Sequence, residues 1–130
     1  MAHVIVEYTA NIRARADIAG LLRAINDALI AQPGVFPIGG IRSRAIELSE
    51  YRMADGAADY AFVHITLKMG AGRDAETKAR VGDELFEAVK AHFAELHSQR
   101  LLALSMEVCE FDEGGTYKQN NVHARFKTSP

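Results

Sequence analysis

Residues 60–74, YAFVHITLKMGAGRD, decide the fold. From Ala61 onward apolar side chains return at every second position. Ala61, Val63, Ile65, Leu67 and Met69 share one face, and Phe62, His64, Thr66 and Lys68 share the other. That period predicts a strand. Gly70-Ala71-Gly72-Arg73-Asp74 is then a tight turn, and behind it Val81, Leu85, Val89, Phe93 and Leu96 fall on one side of a helix. A further strand is expected from about Leu101 to Glu110, which completes a β-α-β unit.

The same pattern precedes residue 60. Ala2 to Thr9 (AHVIVEYT) reads as a strand centred on Val4 to Tyr8. Ile18, Leu21, Leu22, Ile25 and Leu29 follow at helical spacing, with Asp17 as the cap and Pro33-Gly34 as the stop. The turn Pro37-Ile38-Gly39-Gly40 leads into a second strand, about Ile41 to Tyr51. Asp55 to Asp59 (DGAAD) is the hinge. The expected architecture is α/β (α+β): one domain of two fused β-α-β units, with halves at about 2–54 and 60–111. Residues 112–130 are expected to form a polar tail with a hairpin around Gly114-Gly115. Both helices of such a chain pack on one face of a mixed sheet. The other face, with Phe62, His64 and Thr66, is half apolar, so a homo-oligomer of cyclic symmetry that stacks these faces is expected.

Composition excludes several classes. At 130 residues and 48% hydrophobic content the chain has enough material for a single core. A formal net charge of -2 gives no nucleic-acid signal. One cysteine, Cys109, cannot form an internal disulfide, which fits a reducing compartment. No segment resembles a signal peptide and no apolar run reaches membrane-spanning length. A soluble, cytoplasmic protein is expected, with neither nucleic acid nor membrane as partner.

A doubled β-α-β chain that begins at its own first strand resembles the tautomerase superfamily. FPIGGIRSR (36–44), MADGAADYAFVHITLKMGAGR (53–73), LFEAVKAHFAEL (85–96), SQRLLALSMEV (98–108) and YKQNNVHARFK (117–127) resemble the 5-carboxymethyl-2-hydroxymuconate isomerase family more closely. The resemblance implies a homotrimer that isomerises an unsaturated hydroxy-diacid bearing a further carboxymethyl group, in the breakdown of homoprotocatechuate. It implies no metal and no cofactor. The general base in that family is an amino-terminal proline, exposed when the initiator methionine is removed, and arginines bind the substrate carboxylates. This chain departs at that position: it begins Met1-Ala2-His3. Removal of Met1 frees a primary amine on Ala2, a group that titrates near pH 8 when unperturbed, roughly 7.7–8.0.

The catalytic residues implied are therefore Ala2, Arg42 and Arg73. Arg42, Arg44 and Arg73 are the candidates for binding a small polycarboxylate. A guanidinium is always charged and grips a carboxylate as a fork. Read without the resemblance, Arg42 is as well explained by a surface salt bridge. Arg44 points to the same face as Arg42 and fits either the site or an inter-subunit pair. Arg73 precedes the second helix, where dipole and free N–H groups favour anions. The glycines at 70 and 72 serve the turn and do not make a phosphate loop.

His3, His64, His92, His97 and His123 have no metal-ligand spacing and read as structural or surface residues, His64 at a subunit interface. Glu107 and Glu110 beside Cys109 disfavour a thiolate nucleophile. Lys118-Gln119-Asn120-Asn121 either covers the site or braces a neighbour, the latter favoured. Two other readings stand beside the isomerase. One is a tautomerase-fold trimer with little catalysis, because alanine stands in place of proline. The other is a ferredoxin-like module binding a small ligand. Parallel pairing within each unit separates the tautomerase arrangement from the ferredoxin-like one.

Overall fold

A computed structural model describes residues 1–127. Residues 128–130, the end of the tail, lie outside the described residues. Four strands and two long helices follow in the expected order: β1 (Ala2–Thr9), α1 (Ile18–Ile30), β2 (Ile41–Leu48), β3 (Ala61–Gly70), α2 (Ala75–Gln99) and β4 (Leu102–Phe111). β1 pairs parallel with β2, and β3 pairs parallel with β4. The two units meet where β1 runs antiparallel to β3, giving the order β2-β1-β3-β4. Each helix is thus a crossover within its own unit, and the ferredoxin-like reading is excluded.

Both helices cover one face of the sheet. Ala2, Val4 and Val6 of β1 and the alternating set Ala61 to Met69 of β3 are fully buried there. They pack against Leu21, Ile25 and Leu29 of α1 and against Val81, Leu85, Val89, Phe93 and Leu96 of α2. Burying an aliphatic or aromatic side chain of this size contributes about 1.5–3 kcal/mol, so these central positions dominate the fold's stability. Asp17 caps α1 by accepting from the Gly20 N–H, and Asp74 caps α2 by accepting from the Thr77 N–H at 2.8 Å.

Two expectations are corrected. β2 ends at Leu48 rather than near Tyr51, because its partner β1 ends at the facing residue Thr9 and turns into a 3-10 segment at Ala10–Ile12. A strand without a partner leaves its backbone groups unpaired. Among the described residues the tail forms no hairpin. Asp112 folds the backbone at Glu113–Gly115 into a 3-10 turn, its carboxylate accepting from the Gly114 N–H and its carbonyl from the Gly115 N–H. The chain then crosses to a second 3-10 turn, Val122–Phe126. The hinge is fastened by Arg100, whose Nη2 donates to the Asp59 carbonyl at 2.9 Å and lies 3.3 Å from its carboxylate.

Candidate active site

The β-α-β arrangement brings three separate segments to one end of the sheet. The start of β1 lies between the start of β2 and the end of β3, with Ala2 opposite Ile41 and Met69. The turn before β2 therefore delivers Arg42, and the turn after β3 delivers Arg73, to the two sides of residue 1. The tail supplies the third wall. Asn120 Nδ2 donates to the Gly39 carbonyl at 2.8 Å, and the backbone of His123 lies on Gly39. A Cβ at position 39 would stand 2.9 Å from the His123 Cα, nitrogen and Nδ1, so only glycine permits this approach. At Gly40 a Cβ would lie 3.7 Å from the Met1 nitrogen and 3.5 Å from His123 Cε1, which sets the imidazole and the terminal amine over the same turn.

Met1 separates two small cavities. One, of about 120 Å³, is lined by Met1, Arg73, Phe111, Glu113 and Lys118. The other, of about 70 Å³, is lined by Met1, Arg42, Lys118, Asn120 and His123. Larger clefts of about 540 and 620 Å³ run between α2 and β4. They are open grooves along a sheet edge. Lys78 is paired with Glu110 in one of them, and neither brings together a set of groups suited to chemistry. The candidate groups converge on the small cavities.

The terminal amine is held below its ordinary value of 8.0. Burial contributes most, followed by the positive charges of Arg73, Lys118 and Arg42, while Glu113 acts in the opposite sense. An amine so placed gives up its proton more readily than an ordinary terminal amine, and the guanidiniums beside it suit anions.

Arg73 is already partly engaged. Nη1 donates to the Gly70 carbonyl at 2.9 Å and Nη2 to the Val35 carbonyl at 2.8 Å, and the guanidinium stacks on Phe36 at 4.8 Å. Two of its five N–H groups are spent on the frame, so its direction is fixed and three remain. At the helix N-terminus behind it the Asp74 carboxylate takes the Thr77 N–H.

Arg42 is exposed and makes no salt bridge among the described residues. Arg44 lies away from both cavities, on the open face, with Nη1 3.1 Å from His3 Nδ1. Of the three arginines singled out in the sequence, then, two flank the amine and one does not.

The sequence reading takes the 118–121 tail as either a cover of the site or a brace for a neighbour, and reads His123 as structural or surface. Asn120 and His123 of the tail lie on the Gly39-Gly40 turn of the same chain, which is the covering alternative. The signal was available in Gly39-Gly40, a pair with room for a second backbone. His64 stands on the open face between Ser105 and Glu107, at 2.7 and 3.0 Å. The acids flanking Cys109 are engaged elsewhere, Glu107 with His64 and Glu110 with Lys78.

Two parallel β-α-β units joined antiparallel, with a chain terminus set among cations at the end of the sheet, define a tautomerase-superfamily protein. The family model of 5-carboxymethyl-2-hydroxymuconate isomerase matches residues 2–126. The 5-carboxymethyl-2-hydroxymuconate Delta-isomerase of Escherichia coli is 52% identical over 127 residues, 98% of this chain and 100% of that one. The crystal structure of a 5-carboxymethyl-2-hydroxymuconate isomerase from Deinococcus radiodurans R1 superposes with a TM-score of 0.93 at 48% identity, covering 98% of this chain and 95% of that chain. A fused 4-OT protein described as a symmetric trimer shares the fold alone, with a TM-score of 0.57 at 20% identity over 90% of this chain and 93% of that one. The chain belongs to the 5-carboxymethyl-2-hydroxymuconate isomerase family, and it is an isomerase.

Proposed function

We propose that this isomerase moves a proton and a double bond within an unsaturated hydroxy-polycarboxylate of the 5-carboxymethyl-2-hydroxymuconate type, as part of aromatic catabolism in the cytoplasm. The observation that carries the reading is the terminal nitrogen, half-buried and flanked by Arg73, Lys118 and Arg42. Removal of Met1 transfers the free amine to Ala2, roughly 3.3–3.6 Å along the chain. It also takes away the residue that lines both cavities and so joins them into one hollow.

In the mechanism proposed, the neutral amine of Ala2 accepts a proton from the substrate hydroxyl or carbon. The resulting dienolate is held by Arg42 and Arg73, and the ammonium returns the proton at a different carbon, shifting the double bond. Positive charge beside the amine serves twice. It stabilises the developing oxyanion, and it lowers the pKa of an amine beside it, which favours the neutral form. No group outside this chain is asked to supply a proton. General acid–base assistance of this kind contributes about 10²–10⁴-fold in rate.

The open sheet face, with Arg44, Ile46, Phe62 and His64, supports a homotrimer as the working form. The test is isomerisation of 5-carboxymethyl-2-hydroxymuconate, followed by its ultraviolet absorbance, in the parent chain and in Arg42→Ala. Turnover that drops sharply in the variant supports the reading, whereas equal rates in both would refute the role of the cationic hollow.

A further inference from the structure

We propose that Lys118, carried by the C-terminal tail, is the third cation of this site and the residue that distinguishes a tricarboxylate from a dicarboxylate. The inference rests on the isomerase reading above and names a specificity determinant within the same site. Besides Met1, Lys118 is shared by the two cavities, so it stands where the joined hollow would be continuous. After Arg73 it is the strongest charge acting on the terminal amine, ahead of Arg42.

Its position is built rather than incidental. Two residues before it, Thr116 Oγ1 donates to the Asp112 carbonyl at 2.9 Å. Two residues after it, Asn120 donates to the Gly39 carbonyl and its own Oδ1 accepts from the Val122 N–H, both at 2.8 Å. His123 pressed against Gly39 fixes the far end. The backbone before Lys118 is thereby tied to Asp112, and the backbone after it to the Gly39 turn that precedes Arg42.

Charge decides what such a site takes. Among the described residues neither Arg42 nor Lys118 makes a salt bridge, and Arg73 donates only to carbonyls. Against these three cations and the amine stands one carboxylate, Glu113, on the wall beside Arg73. Two guanidiniums match two carboxylates as forks, and an ammonium with three rotatable donors takes a third without a fixed plane. Glu113 makes no salt bridge to any of these cations among the described residues, so a substrate with two carboxylates leaves one cation unmatched and one with three leaves none.

Binding of unreactive probes tests this apart from turnover. Isothermal titration with tricarballylate (three carboxylates) and glutarate (two on the same carbon chain) is measured on the parent chain, Lys118→Gln and Lys118→Arg. Lys118 is exposed, so neither substitution endangers folding. The parent is expected to prefer tricarballylate by about tenfold or more, the range of one charge-assisted contact. Lys118→Gln is expected to reduce that preference to about twofold, and Lys118→Arg to retain it. A parent without the preference, or Lys118→Gln that keeps it or weakens both probes equally, overturns the inference. Kinetics on 5-carboxymethyl-2-hydroxymuconate separates the two readings. A parent chain that shows the Lys118-dependent preference but no turnover refutes the isomerase mechanism and upholds the role of Lys118. Turnover with an unaltered preference in Lys118→Gln refutes Lys118 alone.

Discussion

The imidazole of His3 presents Nδ1 to the guanidinium of Arg44 at 3.1 Å, across the β1–β2 pair. A guanidinium has no acceptor, so Nδ1 must carry its lone pair toward it, and the ring is neutral. Arg42 stands on the ring's other side, with Nη1 3.5 Å from Nε2. Burial first, then Arg42, Arg44, the terminal amine and Lys68, hold the ring's pKa below 6.5. This cluster continues the cationic end of the sheet onto its open face.

The first prediction concerns stability and pH. Because the folded ring binds a proton less readily than the unfolded one, the unfolded chain carries more protons just below pH 6.5, and stability falls as pH drops through that window. Above 6.5 the ring is neutral in both states and the loss is absent. Urea midpoints at about pH 5 and pH 7.5 should differ more in the parent than in His3→Asn. An identical difference in the two proteins would rule this out.

Arg42 and Arg73 should separate in their effects. Arg42→Ala removes an exposed group with no salt bridge and should lower kcat/KM by about 10–100-fold while the melting temperature holds. Arg73→Ala also breaks the bonds to Gly70 and Val35 and the stacking on Phe36. It should cost about 2–4 kcal/mol of stability in addition. Calorimetry together with kinetics checks the split.

The base must be unprotonated to begin a cycle, so the rate should rise with pH and then level off; the cations that lower the pKa of the Met1 amine are expected to act in the same sense on the Ala2 amine. Removing a neighbouring cation returns the amine toward 8.0. The acid limb of the pH profile should therefore move to higher pH in Arg73→Ala, and by less in Arg42→Ala. A limb that stays in place in both variants would exclude the amine as the titrating base.

Ala2 bears on rate more than on fold. Its side chain is fully buried on the helix-covered face. Intact mass should show loss of Met1 in active preparations. Ala2→Pro, which supplies the secondary amine that the family resemblance implies, should raise kcat by more than about tenfold. A variant no faster than its parent would show that the primary amine is an adequate base.

Arg100 offers a test remote from the site. Its guanidinium ties the end of α2 to Asp59 in the hinge, and little of the side chain is exposed. Arg100→Ala leaves the Asp59 carbonyl without that donor and should cost about 1–3 kcal/mol in urea unfolding, with kcat unchanged.

Periodicity in the sequence determined most of the architecture. The alternation over 61–69 and the helical spacing from Val81 to Leu96 are local consequences of side-chain direction, and both faces were read correctly from them. Residue types determined the candidate chemistry too: an amine at the head of β1 and guanidiniums at the start of β2 (Arg42) and in the turn after β3 (Arg73). Tertiary structure decided which of these meet. Arg42 and Arg44 are indistinguishable by spacing, yet only Arg42 reaches the cavity, because the parallel register sets it beside the first residues of β1 and carries Arg44 one step further along the sheet. Lys118 and His123 gave no periodic signal at all. Their place follows from backbone contacts with Gly39 across some eighty residues of chain, and contacts of that range leave no local pattern to read.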